Sequence, residues 1–155
     1  MISVLFAFTA AVLLIAGPTM IVQGLAGRRT VARELAQQRI SFPGADGLPD
    51  GLHRYAGTAV HTGAQARAFS DLIAGNLAQA TGGRTYAEIV EEWMAGGRTD
   101  DRLAGLRQTA FMGQSLRGAL LGAYQAWQIT LLVIGVGAVF TALGAAFLAL
   151  AVRGA

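Results

Sequence analysis

The chain has 155 residues, of which 54% are hydrophobic and only 14% charged, with a formal net charge of +3; a soluble domain carries about 25% charged residues. All 12 basic residues are arginine, and neither lysine nor cysteine occurs. Disulfides, thiolate zinc sites, Schiff-base lysines and the P-loop lysine are thereby excluded, and the composition points to a membrane protein.

The charges are unevenly placed. No side chain is charged from Met1 to Gly27 or from Gly118 to Val152, and every acid, with every Arg except Arg153, lies between Arg28 and Arg117. The chain therefore reads as two apolar ends around a charged middle. Residues 2–23 are long enough for a first membrane helix, since about 20 helical residues cross a ~30 Å hydrocarbon core, with Pro18 kinking it or marking its last turn. A cleaved signal peptide over residues 1–27 is the other reading. The lack of a basic residue before the apolar run, and Arg28-Arg29 after it, favour a retained span. No ionisable side chain falls inside either apolar stretch, so neither offers the usual mark of a proton or ion path.

Residues 28–117 are predicted to form a helical extramembrane domain. The first helix continues from the span over about 28–40, pairing Val31 with Leu35 and Ala32 with Ala36, and Ser41-Phe42-Pro43-Gly44 stops it. Residues 44–51 are a turn-rich connector with Leu48 as their one core side chain. Thr62 and Gln65 form a capping box opening a helix to about residue 80, with Ala66, Phe69, Ile73 and Leu77 on one face. Thr81-Gly82-Gly83 ends it. Thr85 and Glu88 make a second, stronger box, followed by a short helix that buries Ile89, Val90, Trp93 and Met94. Gly96-Gly97 closes that helix. Thr99 or Asp100 caps the last helix, which turns Leu103, Leu106 and Ala110 inward. It then runs through an interfacial connector at 118–128, where Tyr124, Gln125, Trp127 and Gln128 suit the headgroup level, into a second span at 129–151. The fold expected is all-α, a two-helix transmembrane hairpin with a helical domain inserted between its spans. Ala7 and Ala11, Ala138 and Ala142, and the heptad pair Gly137 and Gly144 are the candidate helix-packing face.

Little in this chain suggests catalysis. His53 and His61 are the only histidines and, with Asp50, match no ligand spacing such as HExxH; they read as surface or loop residues. Glu88, Glu91 and Glu92 read as a solvated helix face. Nucleophile-elbow, Walker and cofactor motifs are missing. The excess of 11 Arg over 9 acids in the middle, without aromatic interleaving, is not a nucleic-acid signature. Arg28, Arg29 and Arg33 are candidate lipid-headgroup contacts, each such charge contributing about 1 kcal/mol near an anionic leaflet. Tyr55, Phe69, Tyr86, Trp93 and Phe111 are the candidates for lining a ligand pocket between helices, or for forming the core.

Several strings carry a resemblance. Leu35–Ile40, Tyr55-Ala56-Gly57 with Val60, Gln65-Ala66, Ile73, Gly82-Gly83-Arg84-Thr85-Tyr86-Ala87-Glu88, and Arg107 through Leu120 are together similar to a family of small two-span actinobacterial membrane proteins of uncharacterised function. The resemblance runs over nearly the whole chain, and its specific parts are the Gly-Arg-Thr-Tyr-Ala-Glu string and Ser115-Leu116-Arg117. It implies two spans flanking a helical domain, a loop outside the cytoplasm and both termini inside, in the plasma membrane. Some relatives carry an automatic label of aromatic ring-opening dioxygenase, but the ligand set for its iron is not present here. This chain also departs from the relatives at Asn76, where they often carry His, and in lacking basic residues before the first span. The positive-inside count, with Arg28, Arg29, Arg33, Arg39 and Arg117 on the loop against Arg153, favours the opposite orientation, though that rule is weak for loops beyond ~60 residues. The functional expectation is a non-catalytic integral membrane protein that binds lipid, a membrane-protein partner or a second copy of itself, without a cofactor; the alternative is an extracytoplasmic small-ligand-binding or sensing domain anchored by two spans.

Overall fold

Neither apolar stretch contains a signal strong enough to break a helix, and each becomes part of one long one. The computed structural model describes residues 2–153. Its elements are α1 (Ile2–Gln37), two short 3-10 turns (Ala45–Gly47 and Asp50–Tyr55), α2 (Gly63–Thr81), α3 (Tyr86–Ala95) and α4 (Asp101–Arg153). The protein is all-α, with two long apolar helices packed together and a helical segment between them. It divides into an apolar unit, made of residues 2–33 and 126–153, and a second unit, Glu34–Gln125.

In the apolar unit, α1 passes through Pro18 as one helix. Both α1 and α4 are long and apolar enough to cross a membrane, and only 11% of each apolar window is buried. The side chains turned outward are large and apolar: Val4, Phe8 and Ile15 on α1 and Leu132 on α4 are 66–72% exposed. In water such a surface is unfavourable at about 25 cal/mol per Å²; in hydrocarbon it carries no penalty. Two long, apolar, largely exposed helices thus suggest a two-span membrane protein. Three hydroxyls on these helices fold back onto their own backbone, as a medium without water requires. Thr19 donates to the Ile15 carbonyl at 2.7 Å, Thr130 to Trp127 at 2.7 Å and Thr141 to Gly137 at 2.8 Å.

The second unit starts where α1 ends. Leu35 is buried there, Ala36 is exposed, and Arg39 takes a left-handed φ of 52° to turn the chain. An isolated antiparallel bridge pairs Ser41 with Ala59, with Phe42 N–H donating to the Thr58 carbonyl and Val60 N–H to Ile40, both at 2.9 Å. α2 carries the full capping box, Thr62 with Gln65, and ends on Gly82 at a φ of 64°. α3 has the second box, Thr85 with Glu88. Asp100 caps α4 by accepting from Leu103 N–H at 3.1 Å.

Burial departs from the simple one-face expectation in two helices. α2 buries Ala66 and Ser70 but also Ala68 and Leu72, while Phe69, Ile73 and Leu77 are only half-buried. Neighbours thus cover more of its circumference than one stripe. On α3, Ile89 is completely buried, yet Met94 is exposed, because ten residues are too few to carry four side chains into one small core. On α4, Leu103 and Ala110 are buried, Leu106 is half-buried, and Leu120 joins the core.

Candidate functional site

The apolar unit is organised by a seam of small residues. Ala10, Gly17 and Gly24 on α1, and Gly137, Gly144 and Ala151 on α4, are all buried and recur at seven-residue intervals. A seven-residue repeat keeps one stripe facing a partner along a left-handed crossing. The helices run antiparallel, with Gly17 against Gly137, Gly24 against Thr130, and Gly144 against Leu13 and Leu14. At the tightest level the contact is backbone to backbone. A Cβ on Gly137 would lie 2.7 Å from the Gly17 carbonyl oxygen, and a Cβ on Gly17 would lie 2.7 Å from the Gly137 carbonyl oxygen. The room left at Gly17 is also what lets the Thr141 hydroxyl reach back to its own helix, since a Cβ there would collide with that oxygen.

The predicted packing face is corrected by this geometry. Gly137 and Gly144 lie in the seam, but Ala7, Ala11, Ala138 and Ala142 are exposed. Ala11 and Ala138 each stand one residue from a seam position, about 100° around the helix. The repeat that packs has a period of seven, where the alanines stand four apart.

The three juxtamembrane arginines have different settings. The Arg28 guanidinium lies over the Trp127 ring, 4.4 Å from its centroid, a contact contributing about 0.5–1 kcal/mol when exposed. Arg29 and Arg33 line an open groove with Thr30, Ala26 and Ala32. Arg33 donates to the Arg29 carbonyl at 3.4 Å and to the Thr30 hydroxyl at 3.3 Å. An Arg–Trp pair beside two further arginines, at the end of an apolar helix pair, has the chemistry of a membrane-interface collar.

The five aromatics named as pocket or core residues are not brought to one place. Tyr55 stacks on Phe42 at 5.2 Å, and Phe69 meets Phe42 edge-on at 5.0 Å. Tyr86 and Phe111 form a separate, partly exposed pair at 6.0 Å. Trp93 lies under the Arg107 guanidinium at 4.2 Å. Two of the five therefore belong to a packed core cluster and three lie elsewhere. The cluster's centre, Phe42, is 3% exposed, although its Ser-Phe-Pro-Gly setting reads in sequence as a helix stop and not as a core position.

The titratable groups are engaged locally. His53 Nε2 donates to the Leu48 carbonyl at 2.9 Å, with Asp50 3.8 Å away, and His61 Nδ1 bonds the Ala59 carbonyl at 3.1 Å. Glu88 accepts from the Thr85 backbone N–H at 2.6 Å and from its hydroxyl at 2.8 Å. Those bonds, with Arg84 nearby, hold its carboxyl below the ordinary value. Among the described residues no three His, Asp or Glu side chains come together as a metal site. No protein-family model, curated protein or solved structure matches the chain.

Proposed function

We propose that this chain is a non-catalytic two-span membrane protein whose role is to hold its helical segment at a membrane and engage lipid or a larger membrane assembly. The observation that carries the reading is the apolar unit itself: a backbone-close helix pair, bare of charge between its ends, with large apolar side chains outward and an Arg28–Trp127 collar with Arg29 and Arg33 at one end. Such a collar favours anionic headgroups through charge and the ring through its amphipathic edge. The resemblance to two-span actinobacterial membrane proteins supports the same reading, with plasma-membrane residence, an extracytoplasmic loop and cytoplasmic termini.

The test is native mass spectrometry of the full chain extracted in mild detergent. The expected result is retained anionic lipid or a stoichiometric second subunit, with the lipid lost in the triple variant R28A/R29A/R33A. A clean monomer without lipid overturns the proposal. Orientation is tested by protease cleavage at an inserted site beside Gly47, which is exposed. Cleavage in intact cells is expected; cleavage only after permeabilisation overturns the assigned topology.

A further inference from the structure

A second feature lies in the Glu34–Gln125 unit and shares no residue with the collar. The α2–α3 turn and the middle of α4 border a half-open cavity of about 170 Å³, lined by Thr81, Gly83, Arg84, Thr85, Gln114 and Arg117 over an apolar floor at Leu77. The two strings that stand out from the low-complexity sequence, Gly83-Arg84-Thr85 and Gln114 to Arg117, meet there. Among the described residues no carboxylate lines it.

Its two arginines are held in different ways. Arg84 Nε donates to the Thr81 carbonyl at 3.0 Å, and its Nη1 pairs with Glu92. The Arg84 position is thus fixed by its own turn and by α3. Arg117 has no such charge partner: no Asp or Glu among the described residues lies within ion-pair distance of it. Its Nη1 donates to Gln114 Oε1 at 3.1 Å, which leaves the Gln114 amide NH2 as a donor. Its Nε is buried and has no acceptor. An unmet buried donor on a cationic group is costly, and a guanidinium's fork of donors is suited to gripping an oxyanion through two parallel bonds.

We propose that this cavity binds a phosphate group, with Arg117 as its principal ligand, Gln114 as a further donor and the Glu92-paired Arg84 at its wall. Size decides the class. Sites for whole drug-sized molecules span about 300–1,000 Å³, so this cavity admits a phosphate and leaves the rest of any larger molecule outside. Arg117, without a carboxylate partner, brings an uncompensated positive charge to a pocket whose lining holds no carboxylate, while Arg84 beside it shares its charge with Glu92. The phosphate can be free or the headgroup of a lipid, and the two sources share this chemistry.

The experiment uses the full chain in mild detergent at constant ionic strength. Inorganic phosphate is titrated in one arm and short-chain phosphatidic acid in the other, with 31P line broadening as the readout. Saturable binding is expected, weakened about tenfold or more in R117Q, weakened less in R117K, which keeps the charge but loses the fork, and unchanged in R107Q and in R28A/R29A/R33A. Binding of both probes identifies a site open to free phosphate; binding of phosphatidic acid alone identifies a headgroup site. Without phosphate, R117Q is expected to melt no lower than the parent, because it removes a charge that has no counter-charge and a buried donor that has no acceptor; R117K serves as the fold-preserving variant if it does melt lower. Failure of both probes to saturate, or equal binding by R117Q and R117K and the parent, overturns the proposal.

Discussion

The seam between α1 and α4 makes a prediction whose sign depends on two positions only two residues apart. Gly135 and Gly137 lie in the same helix, but a Cβ added at Gly135 meets nothing within 4 Å. Gly135→Ala therefore adds only helix propensity, a gain of up to about 1 kcal/mol. At Gly137 the same methyl lies 2.7 Å from the Gly17 carbonyl oxygen and 3.0 Å from Ile21 Cγ1 and Met20 Cβ. Ordinary contact begins at 3.4 Å, so the methyl is about 0.7 Å too close to a backbone atom that has no rotamer to change. The helices must separate. Overpacking of this kind costs about 1–3 kcal/mol, and a gap of ~0.5–1 Å also forfeits a quarter to a half of each dispersion contact along the seam.

Set against the same propensity gain of about 1 kcal/mol, Gly137→Ala is expected to be destabilising by roughly 0–2 kcal/mol, and Gly137→Leu by more. The two alanine variants should thus separate, with Gly137→Ala the less stable by about 1–3 kcal/mol. Equilibrium unfolding of purified protein in mixed detergent measures this, with Ala138→Leu as the lipid-side control, expected to stay near the parent. Equal stability of Gly135→Ala and Gly137→Ala would refute the backbone contact, and so would a cost at Ala138 as large as that at Gly137.

The register can be read by cross-linking, since the native chain contains no cysteine. A Cβ on Gly27 falls 3.0 Å from Thr130 Cγ2, close enough that a G27C/T130C pair should oxidise to a disulfide; L25C/L131C, both exposed, should not, and the reverse pattern on a gel would dismiss the register. Phe42→Ala removes the centre of the Tyr55–Phe42–Phe69 cluster and should cost about 3–5 kcal/mol, seen as a lowered melting transition of the helical segment, whereas Phe111→Ala, with its ring 55% exposed, should cost far less. Acid should weaken the start of α3. The folded-state pKa of Glu88 is lowered, chiefly by the Thr85 backbone N–H, so its contribution is complete above the ordinary carboxylate value and disappears as pH falls through the lowered one. Glu88→Gln should flatten the acid limb of the melting curve below the ordinary carboxylate range; an unchanged limb would show that other carboxylates produce it.

The parts of this fold that depend on local chemistry are those legible in the residues. Both capping boxes, the Gly82 stop and the Asp100 cap satisfy backbone groups within a few residues of themselves, so their pattern is visible without knowing what lies opposite. The two apolar helices are legible for the same reason, because length and missing charge are properties of one segment. Phe42 was hidden because its burial depends on Tyr55 and Phe69, which lie 13 and 27 positions later. Arg84 and Arg117 belong to strings that stand out, but their meeting at one cavity is a property of how α2 and α4 pack.

The seam was hidden for a different reason. Lipid chains are as apolar as leucine, so burying apolar area cannot select which faces of two membrane helices meet. What remains is closeness of approach, and closeness is available only along a face whose residues stay small at every level of the crossing. Ala7 with Ala11, and Ala138 with Ala142, meet that condition over a single turn of each helix. Ala10, Gly17 and Gly24 stay small over three levels, with Gly17 against Gly137 and Gly24 against the Thr130 level of α4. Extending the count from four residues to seven separates the two stripes, and it also explains why glycine is needed at the middle level. Where two helices cross, the axes are nearest at one point, and there the Gly17 and Gly137 backbones take the places their side chains would have filled.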